Sequence, residues 1–355
     1  MAADSVFRGY GDYAFVGSFT SKERQARGQG ITVFRVGPAK VWEPTSVLAG
    51  ILNPSYLLFD QEKDVLFAAH GDGDFASSYA FDRRTGNLRP LGTARTSALN
   101  GVSLALDPSR RFLFVANYSS GSISTLPVAA DGMLKDATYV LKLAGPLGPH
   151  RVEQSMSHPH HTVIDPSGHF LIVCEKGLDR VFVIAADTGG RLTVRSEAAM
   201  RPGAGPRHIA FHPTLPRAFV VNEIDSTVTT LAWDAASGAL TPLHVVQTLP
   251  PTFFAQNTAG EILVGPDRRS VYISHRGADL IAHCTLSDSG LKVVDWVSAG
   301  GRTPRFMAVS PTGDMLFVTN EQSDLIAGFT IDMANGRLNH TMEIPTPSPA
   351  VVVFS

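Results

Sequence analysis

Short apolar runs recur along the chain, and each run ends at a turn rich in Gly, Pro, Asp or Asn. The clearest example spans residues 205–233, GPRHIAFHPTLPRAFVVNEIDSTVTTLAW. It contains three apolar runs, over residues 207–211, 217–221 and 227–233, with polar turns between them. Frequent Val, Ile, Phe and Thr in runs this short is typical of β-strands, and the interruptions exclude a helix of ordinary length.

The same strand-turn-strand unit occurs six times in the sequence. The copies align on the residue at the end of each first strand, which is Asp60, Asp107, Asp165, His212, Gly265 or Ser310. Successive aligned residues stand between 45 (310−265) and 58 (165−107) positions apart. That spacing lies near the roughly 40–50 residues of a four-stranded propeller blade. The repeat therefore predicts a β-propeller.

A seventh blade can be assembled from the two ends of the chain. Residues 13–20 and 30–36 resemble a second and a third strand, but no first strand precedes them. The C-terminal segment SPAVVVFS supplies the missing strand. Pairing the two ends closes the ring and leaves no open sheet edge. We therefore predict an all-β, seven-bladed propeller, closed by its N- and C-terminal strands, with residues 1–355 in one domain.

Charge and composition exclude several classes of partner. The net charge of −2 shows no basic surface for nucleic acid or an anionic membrane. The first residues, MAADSVFRGYGDYAF, lack a basic region followed by an apolar core, so no secretion leader is expected, and no apolar run is long enough to span a bilayer. We expect a cytoplasmic protein, monomeric or weakly homo-oligomeric. Cys174 and Cys284 lie in separate apolar runs and are expected to be buried free thiols.

The repeat also predicts where a functional site lies. In an antiparallel hairpin, the start of the first strand and the end of the second meet at one rim of the ring. Five positions before the aligned residues stand Ser55, Val102, His160, Arg207, Gly260 and Arg305, and eleven positions after them stand Gly71, Tyr118, Lys176, Glu223, Arg276 and Glu321. From the third copy onwards most of these residues are ionisable. The pattern predicts a charged site at one mouth of the central channel.

Four stretches carry a family resemblance: HPHHTVIDPSGHFLIV, GPRHIAFHPTLPRAFVVNEIDSTV, ILVGPDRRSVYISHRGADLIA and DPSRRFLFVANYSSGSISTLPV. They resemble the repeats of the seven-bladed propeller lactonase family, which includes bacterial 6-phosphogluconolactonases and fungal 3-carboxy-cis,cis-muconate lactonizing enzymes. The resemblance covers nearly the whole chain and implies a catalytic set of His160, Arg207, Glu223 and Arg276. The sequence departs from the family in the segment RVEQSMSHPHH and at His275, where Asn is commoner.

These residue types suit the hydrolysis of a small anionic sugar lactone, as in a 6-phosphogluconolactonase. Arg207 and Arg276 can hold an anionic group and stabilise the oxyanion that forms as water attacks the carbonyl. His160 is the expected base, with Glu223 either orienting it or acting as the base itself. The expected substrate-binding residues are His158, Asn117, Lys176 and Arg305. No cofactor or metal is expected, and the motifs GxSxG, HExxH and GxxxxGK are absent.

Two other functions fit the same sequence. The site could close a carboxylated muconate into a lactone, because both reactions pass through similar anionic states. A non-enzymatic propeller that binds partners on a broad face is the third hypothesis. Arg207 and Glu223 could also form a purely structural ion pair. His208 and His212 are expected to be packing or turn residues.

Overall fold

The computed structural model describes residues 12–37, 40–287 and 290–355; residues 1–11, on which the expectation about a secretion leader rests, lie outside the described part. Two three-residue 3₁₀ turns, Tyr118–Ser120 and Glu321–Ser323, accompany the strands. The strands are, in chain order, β1 (Tyr13–Ser18), β2 (Gly30–Val36), β3 (Trp42–Ala49), β4 (Pro54–Asp60), β5 (Val65–His70), β6 (Phe75–Asp82), β7 (Asn87–Arg95), β8 (Gly101–Leu106), β9 (Phe112–Asn117), β10 (Ser122–Pro127), β11 (Tyr139–Lys142), β12 (Pro159–Ile164), β13 (Leu171–Glu175), β14 (Arg180–Ala186), β15 (Leu192–Ala199), β16 (Pro206–Phe211), β17 (Arg217–Asn222), β18 (Thr227–Asp234), β19 (Ala239–Gln247), β20 (Thr258–Val264), β21 (Ser270–Arg276), β22 (Leu280–Ser287), β23 (Gly290–Ser298), β24 (Pro304–Val309), β25 (Met315–Asn320), β26 (Leu325–Ile331), β27 (Leu338–Pro345) and β28 (Pro349–Phe354).

The strands form seven four-stranded antiparallel sheets, which are the blades of the propeller. Blades 1 to 6 are β4–β7, β8–β11, β12–β15, β16–β19, β20–β23 and β24–β27. Blade 7 contains β28, β1, β2 and β3 in that order. In blade 7, Val16 of β1 pairs with Val352 of β28, so the two ends of the chain close the ring. The predicted fold and its closure are confirmed, while the assignment of residues 1–355 to one domain stays a prediction.

Every blade has a β-bulge near the start of its first strand. Where the register shifts, the residue without a partner in the next strand is Ser55, Val102, His160, Arg207, Arg305 or Ala350, and in blade 5 the bulge covers Gly260 and Glu261. A bulge redirects a side chain away from the ordinary alternation of a strand. The same irregularity therefore presents His160, Arg207 and Arg305 at one end of the ring.

A repeated backbone hydrogen bond holds the other half of the rim. The amide N–H after the second strand donates to the carbonyl just before the first, as from Lys176 to His158 (3.0 Å) and from Glu223 to Gly205 (2.7 Å). Because the bond recurs in blades 1, 2 and 6, the rim residues stand at equivalent places around the channel.

The turns after the first strands confirm the expected hairpin chemistry. Asp165 accepts hydrogen bonds from the backbone N–H groups of Ser167, His169 and Phe170. His212 replaces Asp in blade 4, and its Nδ1 accepts from the N–H groups of Thr214 and Leu215. The expectation of a turn role for His212 is thus confirmed.

Apolar side chains fill the spaces between neighbouring blades. Large aromatic rings stand in the second strand seven residues after five of the six aligned turn residues, and all are at most 2% exposed: Phe67, Phe114, Phe219, Tyr272 and Phe317. Cys174 and Cys284 are buried free thiols within these layers, as predicted. The apolar layers hold the blades at fixed angles and so fix the rim residues relative to one another.

Introducing a carboxylate at Val352 tests whether ring closure stabilises the fold. Val352 is 0% exposed and packs in the apolar layer between blades 6 and 7. Val352→Asp buries a polar group without a partner, so we expect a loss of about 3 kcal/mol or more in the free energy of unfolding. Denaturant unfolding followed by fluorescence measures the loss. Asn339→Asp, which adds a carboxylate at an exposed position of β27, is the control; equal stability of the two variants would contradict the prediction.

Candidate functional site at the channel mouth

The carboxylate of Glu223 lies at the centre of a cluster of cations. Its Oε1 is 2.9 Å from Lys176 Nζ, and its Oε2 is 3.0 Å from Arg207 Nε and 3.3 Å from Arg276 Nη2. His160 Nε2 lies 4.0 Å from Oε2. The four residues of the predicted catalytic set, which come from blades 3, 4 and 5, therefore meet at one place together with Lys176.

The surrounding cations determine the charge state of Glu223. Burial alone would raise the pKa of its carboxyl, but Arg276, Lys176 and Arg207 outweigh burial and hold the pKa far below its usual range. Burial alone would lower the pKa of the Lys176 ammonium. The negative charge of Glu223 outweighs burial, so the pKa of Lys176 is raised. An always ionised carboxylate is a poor base. Glu223 instead gathers the cations around the mouth.

Backbone carbonyl groups of blade 5 orient both guanidinium groups. Arg207 Nη1 donates to the carbonyl of Gly260 (2.9 Å), and Arg276 Nη2 donates to that of Ala259 (2.7 Å). A Cβ atom at position 260 would lie 2.5 Å from Ser274 Oγ and 2.9 Å from the carbonyl oxygen of Pro304, so only glycine fits there. Burial and the neighbouring Arg276 lower the pKa of Arg207 to about 9, which leaves it charged at neutral pH.

His160 is a neutral imidazole beside this cluster. Burial and the charge of Arg207 hold its pKa well below the ordinary value of 6.5. Its ring packs edge-on against Tyr118, with 5.7 Å between the centroids. At neutral pH the ring is unprotonated, which is the form that a general base requires.

Several buried atoms of the cluster lack an aligned hydrogen bond. Among the described residues, His160 Nδ1, Arg207 Nε, Glu223 Oε2 and Arg276 Nε have no hydrogen-bond partner, although the ion-pair contacts of Glu223 are short. More than about 90% of buried polar groups in proteins are hydrogen-bonded. Because Arg207 Nε and Glu223 Oε2 face each other at 3.0 Å, the two atoms of this group without any polar partner among the described residues are His160 Nδ1 and Arg276 Nε.

A second layer of side chains, four of them polar, lies next to the mouth cluster. His208 Nδ1 lies 2.8 Å from Glu261 Oε1, and the His208 ring stacks on His161 at 4.3 Å. Tyr56 Oη lies 3.4 Å from His161 Nε2, and Phe306 packs against the Tyr56 ring. We call these five residues the channel floor. The His208 ring also lies 5.3 Å from the ring of His160, which agrees with the expected packing role.

The sequence contains a signal for the channel floor that the rim pattern does not capture. Its residues stand four positions before the aligned turn residues, directly after the bulge residues. Strand alternation predicts that neighbours point to opposite faces, whereas the bulges bring consecutive residues such as Arg207 and His208 to the same channel. Burial raises the pKa of Glu261 to about 7.

The four residues predicted to bind substrate have different surroundings. His158 stacks on Tyr118 at 4.2 Å and donates from Nδ1 to its carbonyl (3.0 Å). Arg305 lies 3.7 Å from Glu321 and over the ring of Phe19. Lys176 is bound to carboxylates on two sides.

Asn117 lies inside its own blade, apart from the mouth cluster. Its amide nitrogen donates to the carbonyl of Val115 and to Ser124 Oγ (2.9 Å). Across residues 12–37, 40–287 and 290–355, no hydrogen bond or ion pair joins Asn117 to Glu223. A role in holding the end of β9 fits these contacts.

Comparison with known proteins identifies the family. A family model described as "Lactonase, 7-bladed beta-propeller" matches residues 13–354. The chain belongs to this lactonase family. The predicted resemblance is confirmed, and the scaffold hypothesis gives way to an enzyme that hydrolyses lactones.

Named relatives of the lactonase include 6-phosphogluconolactonases. The enzyme of Bacillus subtilis strain 168 is 30% identical over 343 residues, which cover 94% of this chain and 96% of the relative. That of Pectobacterium carotovorum is 31% identical over 264 residues, or 74% and 75% of the two chains. The structure of a periplasmic gluconolactonase from Pseudomonas aeruginosa aligns with a TM-score of 0.88 at 29% identity, covering 96% of this chain and 98% of that one.

Two further features bear on localisation and metal use. No helix in the described part of the lactonase has the length and apolarity needed to cross a membrane. Because one structural relative is periplasmic, the cytoplasmic location stays a prediction. Within the same residues, no three His, Cys, Asp or Glu side chains gather as a metal ion would require.

Replacing Glu223 by Gln tests its role in gathering the cations. Glu223→Gln leaves three buried cations without their shared carboxylate, so we expect a loss of about 3–5 kcal/mol in the free energy of unfolding at pH 7. The folded pKa of Glu223 lies below its ordinary 4.5, so its contribution is complete above about pH 4.5. It is lost progressively at lower pH.

Denaturant unfolding at pH 7, 4 and 3 measures the free energy of unfolding of wild type and of Glu223→Gln. We expect the difference between these two free energies to decrease as the pH falls. Glu197→Gln, which removes a half-exposed carboxylate on β15, controls for the loss of an ordinary surface charge. A difference that is small at pH 7, or independent of pH, would refute the central role of Glu223.

Proposed function

We propose that this lactonase hydrolyses a small anionic sugar lactone at the channel mouth, with 6-phosphoglucono-1,5-lactone as the first candidate. The observation that carries the proposal is the convergence of Lys176, Arg207 and Arg276 on one carboxylate beside the neutral imidazole of His160. The excess of cations favours an anionic substrate. The names of the relatives support the same substrate class.

The proposed reaction begins when a water oxygen attacks the lactone carbonyl carbon. His160 accepts a proton from that water, and the electrons of the carbonyl double bond move to its oxygen. Arg207 and Arg276 are oriented to stabilise this oxyanion, an effect that is typically worth several kcal/mol. When the intermediate collapses, the bond to the ring oxygen breaks, and the protonated His160 returns its proton to that oxygen. The product is the open hydroxy acid.

The charge of the substrate would increase the basicity of His160. In the free protein, burial and Arg207 hold the pKa of His160 low. An anionic group bound to the neighbouring cations offsets their effect and raises the pKa of the imidazole in the complex. His160 would therefore become a competent base only when an anionic substrate is bound. This coupling favours anionic over neutral lactones.

The alternative in which Glu223 acts as the base is weaker. Its carboxylate is in contact with Lys176, Arg207 and Arg276, and these cations keep its pKa far below neutral. Accepting a proton would require giving up those attractions. We assign Glu223 to holding the cations and His160 to proton transfer.

Replacing His160 tests this assignment. His160→Gln keeps a polar side chain of similar size but cannot accept a proton at neutral pH. We expect kcat for 6-phosphoglucono-1,5-lactone to fall about 10²–10⁴-fold, with the melting temperature little changed. Fast spectrophotometric detection of acid release, corrected for spontaneous hydrolysis, measures the change. His244→Gln, at an exposed position of β19, is the control, and unchanged turnover in His160→Gln would refute the role.

The same protein preparation can distinguish lactone hydrolysis from the alternative activity, cycloisomerisation of a muconate. Loss of ultraviolet absorbance on mixing with a carboxylated muconate, without lactone hydrolysis, would identify a cycloisomerase. Equal lactone turnover with and without a chelator is expected, because His160 and the two Arg residues supply the proposed chemistry without a metal.

A further inference from the structure

The ammonium group of Lys176 has no free donor. It lies 2.6 Å from Glu153 Oε2, 2.9 Å from Glu223 Oε1 and 3.2 Å from Tyr118 Oη. An ammonium has three N–H donors, so these contacts use all of them. The side chain is also only 3% exposed. A substrate anion can reach Lys176 only by replacing one of the three acceptors.

Two of the three acceptors are held firmly in place. Glu223 is 10% exposed and also binds Arg207 and Arg276. The ring of Tyr118 is stacked on His158 and is packed against His160. Displacing either residue would uncover buried charge or break packing, which costs more than displacing an acceptor that is partly in water.

Glu153 differs from the other two acceptors. Its side chain is 42% exposed, and Lys176 is its only ion-pair partner among the described residues. The adjacent Gln154 is 1% exposed and donates from Nε2 to the carbonyl of Lys176 (2.9 Å) and to Asp179 Oδ1 (2.8 Å). Gln154 therefore fixes the backbone beside Glu153. The Glu153 carboxylate can leave Lys176 by rotating into solvent while the loop stays in place.

We propose that Glu153 is a displaceable counter-ion that determines specificity, and that a doubly charged group such as the phosphate of a sugar phosphate takes its place on Lys176. This inference rests on the proposed function, and it assigns the anionic end of the substrate to Lys176. Exchanging one single negative charge for another gains little, whereas a phosphate monoester carries a charge of about −1.5 to −2 and three acceptor oxygens. A neutral lactone gains nothing from displacing Glu153.

Phosphate binding to Glu153→Gln tests the proposal without any turnover. The amide of Gln competes weakly for the ammonium, so inorganic phosphate should bind about tenfold more tightly to Glu153→Gln than to wild type at pH 7 and low ionic strength. Isothermal titration calorimetry on the intact protein measures both affinities. Glu153→Asp keeps the charge and should bind phosphate as wild type does. Glu197→Gln, distant in sequence and on the outer strand β15, should also match wild type.

The remaining outcomes are decisive. The proposal would be overturned if phosphate bound to Glu153→Gln no more tightly than it binds to wild type. It would also be overturned if phosphate bound to neither protein. Acetate that binds to wild type as tightly as phosphate does would overturn the preference for a doubly charged group, and a gain for glucose in Glu153→Gln would show a steric effect instead of an electrostatic one. Tighter phosphate binding in a protein that turns over no lactone would support the role of Glu153 and refute the proposed function.

Discussion

The ionised carboxylate of Glu223 is the interaction on which the arrangement of the mouth depends. It stands between Lys176, Arg207 and Arg276, which come from three consecutive blades. Without it, three buried like charges would repel one another in a medium where each is poorly solvated. The cluster does not need to stabilise the fold by itself, because large aromatic side chains are buried in the apolar layers between the blades. The fold thus supplies the stability, and the carboxylate allows the cations to be held close enough to act together.

The β-bulge explains how a regular repeat produces an irregular site. Each blade leaves the same position unpaired, yet the residue at that position ranges from Ala350 to Arg207. The backbone is therefore constant while the chemistry varies from blade to blade. In blade 5 the position carries Gly260, whose carbonyl accepts from Arg207, and the next residue, Glu261, contacts His208. Two consecutive residues of one blade orient two consecutive residues of its neighbour. A blade with glycine at this position can thus still contribute to the site.

Much of this structure could be predicted from the sequence, because residues at the same distance from the aligned turn occupy the same place in every blade. The fold, the ring closure and the meeting of His160, Arg207, Glu223 and Arg276 all follow from counting residues around the aligned turns. The channel floor was not predicted, because strand alternation places Arg207 and His208 on opposite faces and only the bulge brings both to the channel. Spacing also could not show that the Asn117 side chain donates to Ser124 within its own blade. Spacing gives the position of a residue along the strand but not the partner of its side chain. Glu153, which contacts Lys176, lies in the connection between β11 and β12, which is longer than any other connection between blades.

The channel floor also bears on how the mouth can act on a lactone. Tyr56, His161, His208 and Glu261 are linked or stacked next to the cations, and His160 and Arg207 are themselves buried. A substrate bound as we propose would remove further solvent from around Arg207 and Arg276. Because electrostatic attraction strengthens as water leaves, the cations act most strongly on the substrate once it is seated. The neutral state of His160 then has a physical origin in the same desolvation that strengthens the cations. In the proposed reaction, the site would combine a strong field for the oxyanion with an unprotonated imidazole, because both depend on the exclusion of water.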